Sequence, residues 1–563
     1  MDIVSRCAEG SPRLSLARKD DKLELWVFHS EAVFLLVVVG CAFAIRLYLV
    51  LTSYCISGDG VAYLAMARHF ALGQWRAALG AVYSPLYPLI ISFMRPWNMD
   101  WEMAGSLVSL IFGTAAVATT YWMTREAFRR RDLALGAAVL MALHPATAAY
   151  SASVRTEAGY VFLTTTACWL LLKGLNDRRV AIAAVAGITG GLAYLYRTEA
   201  IGFLPLGIFL FIAAGWLWKE APHTWVVTAA CAFAVVFIIV AAPYISYLRI
   251  STGRWSIGRE FTAAMMYGMG DVAHNGDEWR RLGWSASTSP LTMIFDYPWL
   301  YAEKVAELIV VSLYNFAQAL EPLLAVMLAI GIWTRGRTLL ATARETFLAA
   351  IVLFYFCGFA LSYTGTRFMI HLIPFVFGWV AAGIIAMSER VAQWYGPSTR
   401  IVRAIVPAAI ALTLLPRTLW PIGYDMRGVR YAGEEIAKLT TGPATVAARD
   451  GRVAYYAGAR LIELPPSPPD DLCAWLRSEH GDFLMIGNHD EQAFGVTRAL
   501  HCLRLLKRYP RYGSGYSSCM WCGRRNWARL RTTRLEPHYC ALIAAREVRE
   551  RLTGSDGRTT YSS

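Results

Sequence analysis

Two carboxylates lie at the ends of apolar segments, where a charged side chain costs free energy unless it pairs with another charge or serves a function. Asp59 is flanked by Gly58 and Gly60, directly after a long apolar segment, and has no basic neighbour in its turn. Glu157 ends the polar stretch 153–157 between two further apolar segments. A carboxylate in such a place can accept a proton, orient a hydroxyl group or cap a helix. The pattern favours a functional role for Asp59 and leaves a helix cap equally open for Glu157.

Two arginines belong to the same pattern of charges at the ends of apolar segments. Arg197 shares a short turn with Glu199, and Arg367 directly precedes the apolar run that starts at Phe368. Several such charges at one face of the membrane indicate a functional site, so Arg367 and Arg197 are candidates for substrate contact. An ion pair between Arg197 and Glu199 that ties two helix ends together is an equally good interpretation.

Further polar residues follow Asp59 on a predicted short amphipathic helix, where Arg68 and His69 lie. For Arg68, a solvated helix face is favoured over substrate contact. His69, His144 and His371 lack the spacing of a metal site. The sequence therefore requires no metal or other cofactor, and a divalent metal stays possible without support.

The elements that must hold these residues are membrane helices. The chain has 563 residues, of which 56% are hydrophobic and 17% are charged, whereas soluble domains carry about 25% charged residues. The apolar residues fall in blocks of about 17 to 25, the length that crosses about 30 Å of hydrocarbon. This excludes a large soluble enzyme on a single tether. The net charge of +14 does not indicate nucleic-acid binding, because the basic residues lie in short loops and near the C-terminus.

The blocks predict a polytopic α-helical membrane protein with about eleven transmembrane helices. A polar N-terminal segment, residues 1–30, shows no cleavable signal peptide. The transmembrane domain is predicted at 31–420, with two longer outer loops at 53–102 and 249–317. The helices are predicted near 31–52, 103–124, 133–150, 158–174, 180–196, 200–218, 224–248, 318–334, 346–362, 368–387 and 402–420.

The basic residues of the short loops set the predicted orientation. With a cytoplasmic N-terminus, the inner loops carry most of the loop Arg and Lys, and the short outer turns carry only Arg155, Arg197 and Arg367. This asymmetry follows the positive-inside rule. It places every candidate residue, and the region after the last helix, on the outer side.

From about residue 421 the pattern changes. Short apolar runs alternate with helical patterns, which predicts a small α/β domain with a partly parallel sheet over residues 421–510. Its strands are predicted at 444–448, 460–463 and 482–486, and its helices at 433–440 and 470–478. The last segment, 511–563, is rich in Arg and is predicted to be a basic, disordered tail.

The order of the short motifs resembles a known family. The motifs are Gly58–Ala67, Tyr83–Leu89, His144-Pro145 leading into Thr156-Glu157, Gly191–Ala200, and Arg367-Phe368 with Pro374. Over residues 30–390 this order resembles the bacterial protein-mannosyltransferase-like and aminoarabinose-transferase-like membrane glycosyltransferases of the C-type fold (GT-C). The stretch 442–464 resembles the outer α/β domain of bacterial members. The resemblance implies a multi-pass protein of the bacterial inner membrane with a periplasmic C-terminal domain.

The resemblance also implies an inverting glycosyltransferase. The donor would be a polyprenyl-phosphate-linked sugar, and the acceptor a hydroxyl group of a glycan, lipid or protein at the periplasmic face. Asp59 would take the acceptor proton, with Glu157 orienting the acceptor or supporting the base. The donor phosphate would be bound by Arg367 and Arg197. The residues assigned to substrate positioning are Tyr63, Arg68, His69, Tyr83 and Glu199.

The chain departs from the family pattern in two places. Many relatives carry a second acid beside the first-loop Asp, where this chain has Gly60. The aminoarabinose transferases carry an acid and a Lys before the prolines, where this chain has Tyr83 and Ser84. The second departure argues against aminoarabinose as the transferred sugar.

The cysteines after residue 470 suggest disulfides. In an oxidising compartment one or two disulfides are expected, because the spacing of this group is not typical of a zinc site. The group consists of Cys473, Cys502, Cys519, Cys522 and Cys540.

Two other functions remain open from the sequence. A lipid-linked sugar transporter or flippase would need ionisable groups deep in the membrane, broken helices and paired half-repeats. No internal repeat is visible, and Arg46, one charge well inside an apolar block, can snorkel. A catalytically inactive scaffold would not need Asp59, and the loss of the second acid at Gly60 is compatible with it.

Overall fold

The computed structural model describes most of the chain, and the helices and strands below refer to these residues. The described ranges are 13–80, 82–253, 255–258, 294–339, 342–395, 400–440, 442–465, 468–487, 494, 502–510 and 539–545. The helices of the N-terminal half are α1 (Arg13–Leu51), α2 (Gly58–Ala71), α3 (Trp75–Gly80), α4 (Leu86–Ser92), α5 (Trp101–Phe128), α6 (Arg131–Leu143), α7 (Pro145–Tyr150), α8 (Glu157–Asp177), α9 (Val180–Tyr196), α10 (Phe203–Trp216) and α11 (His223–Thr252). Those that follow are α12 (Pro298–Leu320), α13 (Pro322–Leu339), α14 (Ala343–Leu361), α15 (Thr366–Met369), α16 (Ile373–Tyr395), α17 (Arg400–Thr418), α18 (Arg427–Leu439), α19 (Gly451–Ala457) and α20 (Leu472–Ser478).

The fold is that of a polytopic α-helical membrane protein, as predicted. In the described part of the chain, seven helices are long and apolar enough to cross a membrane, and an eighth crossing results if the bent pair α12–α13 counts as one. The apolar helix α9 is shorter. The predicted total of eleven spans stays a prediction. The seven are Glu31–Leu51, Trp101–Phe128, Glu157–Asp177, Thr198–Trp216, His223–Thr252, Ala343–Leu361 and Thr366–Trp394.

The stretch 249–317, predicted as an outer loop, contains a long helix instead. Helix α12 begins at Pro298 and bends by 103° into α13, at Glu321. The helix was missed because it is amphipathic rather than uniformly apolar. Its buried face includes Ser312 and Asn315, while its exposed face carries large apolar side chains. Residues 259–293 of this predicted loop lie outside the described residues.

Arg46, which could snorkel by the sequence, is instead fully buried. It lies on α1, and its guanidinium donates to the carbonyl oxygens of Met141 at 3.0 Å and Ala142 at 3.3 Å. These carbonyls end α6, where Pro145 prevents the helix from continuing in register. Arg46 therefore satisfies the carbonyl groups of a broken helix.

The predicted loop 53–102 is largely helical. Helix α2 is the predicted short amphipathic helix, and α3 and α4 follow it. Tyr87 on α4 is fully buried, and its hydroxyl contacts Ser109 at 2.9 Å and donates to the Gly105 carbonyl at 3.0 Å on α5. The loop is thereby packed onto the membrane helices rather than extended from them.

The C-terminal region forms a five-stranded sheet in the order β2-β1-β3-β5-β4. Strands β2, β1 and β3 are parallel, and β5 pairs antiparallel with both β3 and β4. Cys473 and Cys502 form a disulfide. The strands are β1 (Thr445–Ala448), β2 (Arg460–Glu463), β3 (Phe483–Gly487), β4 (Leu503–Pro510) and β5 (Tyr539–Ala545).

Strand β5 lies inside the segment 511–563 that was predicted to be a disordered tail, so that prediction is wrong for residues 539–545. The run Cys540-Ala541-Leu542-Ile543-Ala544 is apolar, and it pairs along β3 from Phe483 to Gly487. The Arg-rich composition of the neighbouring sequence concealed this short strand. Cys519, Cys522 and the rest of the predicted tail lie outside the described residues.

Candidate active site

Asp59 lies in the first turn of α2, which follows the end of α1 at Leu51 and is capped by Ser57. The Ser57 hydroxyl accepts a hydrogen bond from the Gly60 N–H at 3.0 Å and donates to the Val154 carbonyl at 2.8 Å. This cap fixes the start of α2 against the turn that leads into α8. The Asp59 side chain is 28% exposed, so it is both held by the fold and accessible.

The packing around Gly60 shows why a glycine occupies this position. A Cβ atom there would lie 2.8 Å from the Ile56 side chain, 2.8 Å from the Ser57 hydroxyl and 3.0 Å from the Val154 carbonyl oxygen. The last contact is with backbone, which cannot move aside cheaply. A side chain at position 60 would therefore require the Ile56 and Ser57 side chains and the backbone at Val154 to shift.

Arg367 joins the two predicted acids. It lies on the short helix α15, and its guanidinium donates from Nη1 to Asp59 and from Nε to Glu157. Its Nη2 has no hydrogen-bond partner within the described residues, and the side chain is 28% exposed. Arg367 is thus anchored through two of its nitrogens, while the third is available to a ligand oxygen.

Glu157 is the first residue of α8 and is almost completely buried, with 1% of its side chain exposed. Its Oε1 accepts from Arg367 and lies 3.5 Å from Nη1 of Arg197. A buried carboxylate is stable when cationic partners compensate it, and removing a partner is expensive. Glu157 therefore serves as the negative centre between two guanidinium groups.

Arg197 forms the ion pair with Glu199 that the sequence suggested, and it also contacts the turn before α8. Its Nη2 donates to Glu199 at 2.6 Å, which ties the end of α9 to the 3₁₀ turn Thr198–Gly202. Its Nη1 donates to the Thr156 hydroxyl at 3.2 Å and faces Glu157. The guanidinium also lies 5.8 Å from the ring centroids of Tyr160 and Phe368, which is within the range of a cation–π contact.

The electrostatics of the site keep Asp59 ionised. Burial by itself would raise the pKa of the Asp59 carboxyl group, but the charge and hydrogen bond of Arg367 outweigh it and lower the pKa below its usual value of 3.8. The Tyr83 hydroxyl adds a hydrogen bond to Oδ1 at 3.1 Å. At neutral pH the group is a carboxylate that can accept a proton.

Two of the predicted positioning tyrosines are also at the site. Tyr83 contacts Asp59 directly, and the Tyr63 ring lies 4.9 Å from the Tyr83 ring. The Tyr63 hydroxyl is 3.5 Å from that of Thr156. Thr156 was not singled out from the sequence, although it directly precedes Glu157, and its hydroxyl links Tyr63 to Arg197.

Arg68 and His69 do not join this cluster, so their predicted positioning role is not supported by the geometry. They lie near the C-terminal end of α2, about 14 to 15 Å along the helix from Asp59 at about 1.5 Å per residue. Arg68 lies over the Tyr455 ring at 5.7 Å, and the His69 imidazole contacts the Gln74 side chain at 2.7 Å. The sequence placed them on the correct helix but could not show which end reaches the site.

The described residues contain no group of three His, Cys, Asp or Glu side chains placed to hold a metal ion. His144 and His371 are buried within the helix bundle. The His371 ring packs against Tyr160 with centroids 4.5 Å apart. His69 lies away from both.

Comparisons with known proteins agree with this architecture. Residues 82–242 match a family model described as dolichyl-phosphate-mannose-protein mannosyltransferase. No curated protein sequence matches the chain. The apo oligosaccharyltransferase of Archaeoglobus fulgidus has a similar fold, with a TM-score of 0.55 at 13% identity over 86% of this chain and 74% of that chain.

A second solved structure is similar over nearly its whole length. It is ArnT from Cupriavidus metallidurans bound to undecaprenyl phosphate, with a TM-score of 0.51 at 12% identity, covering 92% of this chain and 98% of that chain. The family model covers residues 82–242, which is less than a third of the chain, so the similarity of this chain to the two solved structures is one of fold. Identities this low show the fold and leave the substrate to be argued from the site.

Proposed function

We propose that this protein transfers a sugar from a polyprenyl-phosphate carrier to an acceptor hydroxyl group, with inversion at the anomeric carbon. The observation that carries the proposal is the contact of one arginine, Arg367, with both Asp59 and Glu157 at the ends of helices. The family match to mannosyltransferases and the undecaprenyl phosphate bound by the similar ArnT structure support a lipid-linked donor.

The proposed reaction is a single displacement. The acceptor oxygen attacks the anomeric carbon of the sugar while the bond from that carbon to the phosphate oxygen breaks. The acceptor proton passes to the Asp59 carboxylate, and the bonding electrons leave with the phosphate. Because proton transfer to a carboxylate of low pKa is unfavourable before the acceptor is acidified, it occurs late, as the new bond forms.

The leaving phosphate gains negative charge as the bond breaks, and a fixed guanidinium stabilises that charge most in the transition state. Arg367 supplies this charge through Nη2, while its hydrogen bonds to Asp59 and Glu157 keep the guanidinium in place. Arg197 is the second phosphate ligand, already held by Glu199 and Thr156. Glu157 acts by positioning both arginines rather than by taking the proton, because its carboxylate is buried between them.

We propose that the site lies at the periplasmic face of the inner membrane. Asp59, Glu157, Arg197 and Arg367 lie at helix ends, and the excess of basic residues in the other loops supports this orientation. The lipid tail of the donor would lie against the apolar helices beside the site. The acceptor would reach Asp59 from the aqueous side.

Broken helices and charged residues deep in the helix bundle would indicate a transporter. Arg46, however, is used on the ends of a broken helix, and Glu321, at the bend of α12–α13, pairs with Arg417. These charges have structural partners, whereas Asp59 and Arg367 are partly exposed. The arrangement therefore favours an enzyme over a flippase.

The proposal is tested with purified protein in lipid nanodiscs, a panel of polyprenyl-phosphate-linked hexoses and pentoses, and a mixture of glycan, lipid and peptide acceptors that carry free hydroxyl groups. We expect release of polyprenyl phosphate with one member of the panel, and a product whose anomeric configuration, measured by NMR, is opposite to that of the donor. Retained configuration would contradict a single displacement. Movement of the lipid-linked sugar across vesicle membranes without its cleavage would support the transporter.

A further inference from the structure

The segment that delivers Asp59, residues 54–57, has no regular secondary structure of its own. Its backbone is held by residues that come more than 350 positions later in the chain. The Tyr54 N–H donates to the Ile422 carbonyl at 2.9 Å, and the Ile56 N–H donates to the Tyr456 hydroxyl at 2.7 Å. The position of Asp59 therefore depends on the C-terminal part of the protein.

Tyr456 is the centre of this connection. It lies on α19, which packs against the sheet, and its hydroxyl also donates to the Glu102 carboxylate, whose two oxygens are 3.1 and 3.2 Å away. Glu102 is in the first turn of α5, one of the membrane helices. Burial raises the pKa of the Tyr456 phenol, so the hydroxyl keeps the proton that this second bond requires. One phenol thus joins the sheet region, the segment 54–57 and a membrane helix.

Two neighbouring contacts hold the same segment. Arg430 lies over the Tyr456 ring at 5.1 Å and donates to the Tyr54 carbonyl at 3.4 Å. Gly423 has a positive φ of 67°, and a Cβ atom there would lie 2.9 to 3.0 Å from the Cys55 backbone. These contacts enclose Cys55, which is 4% exposed.

We propose that Tyr456 is a positioning residue for sugar transfer: its hydroxyl fixes the Ile56 backbone, and through the Ser57 cap it fixes Asp59. The inference rests on the proposed function, since it assigns a role in that reaction. The C-terminal α/β region is on this account part of the catalytic unit and not an appended module.

Loss of the Tyr456 hydroxyl should shift Asp59 and leave donor binding largely unchanged. Without the phenol oxygen, the Ile56 N–H loses its acceptor, and a buried unsatisfied donor is costly enough to move the segment. Asp59 would shift relative to the acceptor, and a misplacement of about 1 Å can cost about a hundredfold in rate. Arg197 keeps its contacts with Glu199 and Thr156, and Arg367 keeps its contact with Glu157, so donor binding should change little. A loss in kcat without a change in the donor KM therefore distinguishes positioning from a general loss of fold.

The first arm of the test compares Tyr456→Phe with Tyr455→Phe in the full-length protein. Tyr455 is the matched control, because it is adjacent on the same helix, its ring lies under Arg68, and among the described residues its hydroxyl has no hydrogen bond to the segment 54–57. We expect kcat to fall about tenfold in Tyr456→Phe with the donor KM within twofold. Tyr455→Phe should keep both parameters. Equal kcat in Tyr456→Phe and the unchanged protein would overturn the proposal.

The second arm uses Cys55 as a natural reporter and does not depend on activity. In the unchanged protein the thiol is buried, and burial raises its pKa to about 12, so maleimide labelling, quantified for the Cys55 peptide by mass spectrometry, should be slow. Tyr456→Phe should label several-fold faster and Tyr455→Phe should not. Unchanged labelling in Tyr456→Phe overturns the contact itself.

The two arms separate failure of this inference from failure of the proposed function. If the unchanged protein transfers no sugar from any donor of the panel, the proposed function fails, and the positioning role fails with it even where labelling confirms the contact. If the unchanged protein is active and Tyr456→Phe exposes Cys55 without slowing transfer, the positioning role fails alone.

Discussion

The two acids of the site occupy different regions of the molecule and are built for different tasks. Asp59 lies on the outer loop helix α2, with 28% of its side chain exposed, and its carboxylate accepts hydrogen bonds from Tyr83 and Arg367. Glu157 lies at the start of the membrane helix α8, with 1% exposed, between two arginines. An acid that must meet a substrate needs access, and an acid that organises charges needs burial. The comparison supports the proposal that Asp59 takes the proton and that Glu157 positions the charges.

The largest effect is expected for Asp59→Asn. The amide keeps the shape of the side chain and can still accept from Tyr83, but it cannot take a proton. General-base removal typically costs a factor of about 10² to 10⁴, so we expect kcat to fall about a thousandfold. Polyprenyl phosphate release measures the rate, and the melting temperature in detergent should fall only slightly, because Arg367 keeps its ion pair with Glu157. Full activity in this variant would remove Asp59 from the mechanism.

Glu157→Gln should lower the stability of the protein in addition to its transfer rate. The substitution leaves Arg367 and Arg197 with one negative charge fewer in a buried site, and breaking such a pair costs about 3 kcal/mol. We expect a clear drop in thermal stability together with reduced transfer. A stable Glu157→Gln protein with a thousandfold lower kcat would reverse the assignment of the two acids.

Tyr83→Phe should have a smaller effect, confined to the Asp59 side. A hydrogen bond to a charged group contributes about 1.5 to 3 kcal/mol, and here Arg367 remains as a second donor. We expect kcat to fall about tenfold, with stability within a few degrees of the unchanged protein. A variant that transfers at full rate would show that the Tyr83 hydroxyl does not support the base.

The smallest effect concerns pH. Because Arg367 lowers the pKa of Asp59 below 3.8, the carboxylate is present above that value and is lost as the pH falls through the folded-state pKa. The contribution of this ion pair to stability is lost in the same acidic range. We expect kcat/KM to be flat from pH 5 to pH 8. A loss of activity with an apparent pKa between 5 and 8 would point to a different base.

Much of the site could be predicted from the sequence, because charged residues at the ends of apolar blocks are rare and conspicuous. Asp59, Glu157, Arg197 and Arg367 were all selected on that basis, and the structure brings them together. Arg68 and His69 were placed on the correct helix, but the pattern carries no information on which end of a helix meets a site formed by distant loops.

The residues that hold the site were missed for a related reason. Asn315 accepts from Thr366 at 3.1 Å, directly before Arg367, and Tyr456 binds the segment before Asp59. Both contacts join segments that are far apart in the chain, and neither residue type is unusual where it stands. Helix α12, which carries Asn315, escaped notice because its buried face is polar and its apolar face is exposed.

The central claim is that Asp59 performs the chemistry and Arg367 holds the phosphate. It is tested most directly by measuring, in the same nanodisc samples, polyprenyl phosphate binding and sugar transfer for Asp59→Asn and Arg367→Gln. The account predicts that Asp59→Asn binds polyprenyl phosphate as the unchanged protein does but transfers about a thousandfold more slowly, whereas Arg367→Gln loses binding as well as transfer. Normal transfer by either variant would contradict it, as would an Arg367→Gln protein that binds the lipid phosphate with unchanged affinity.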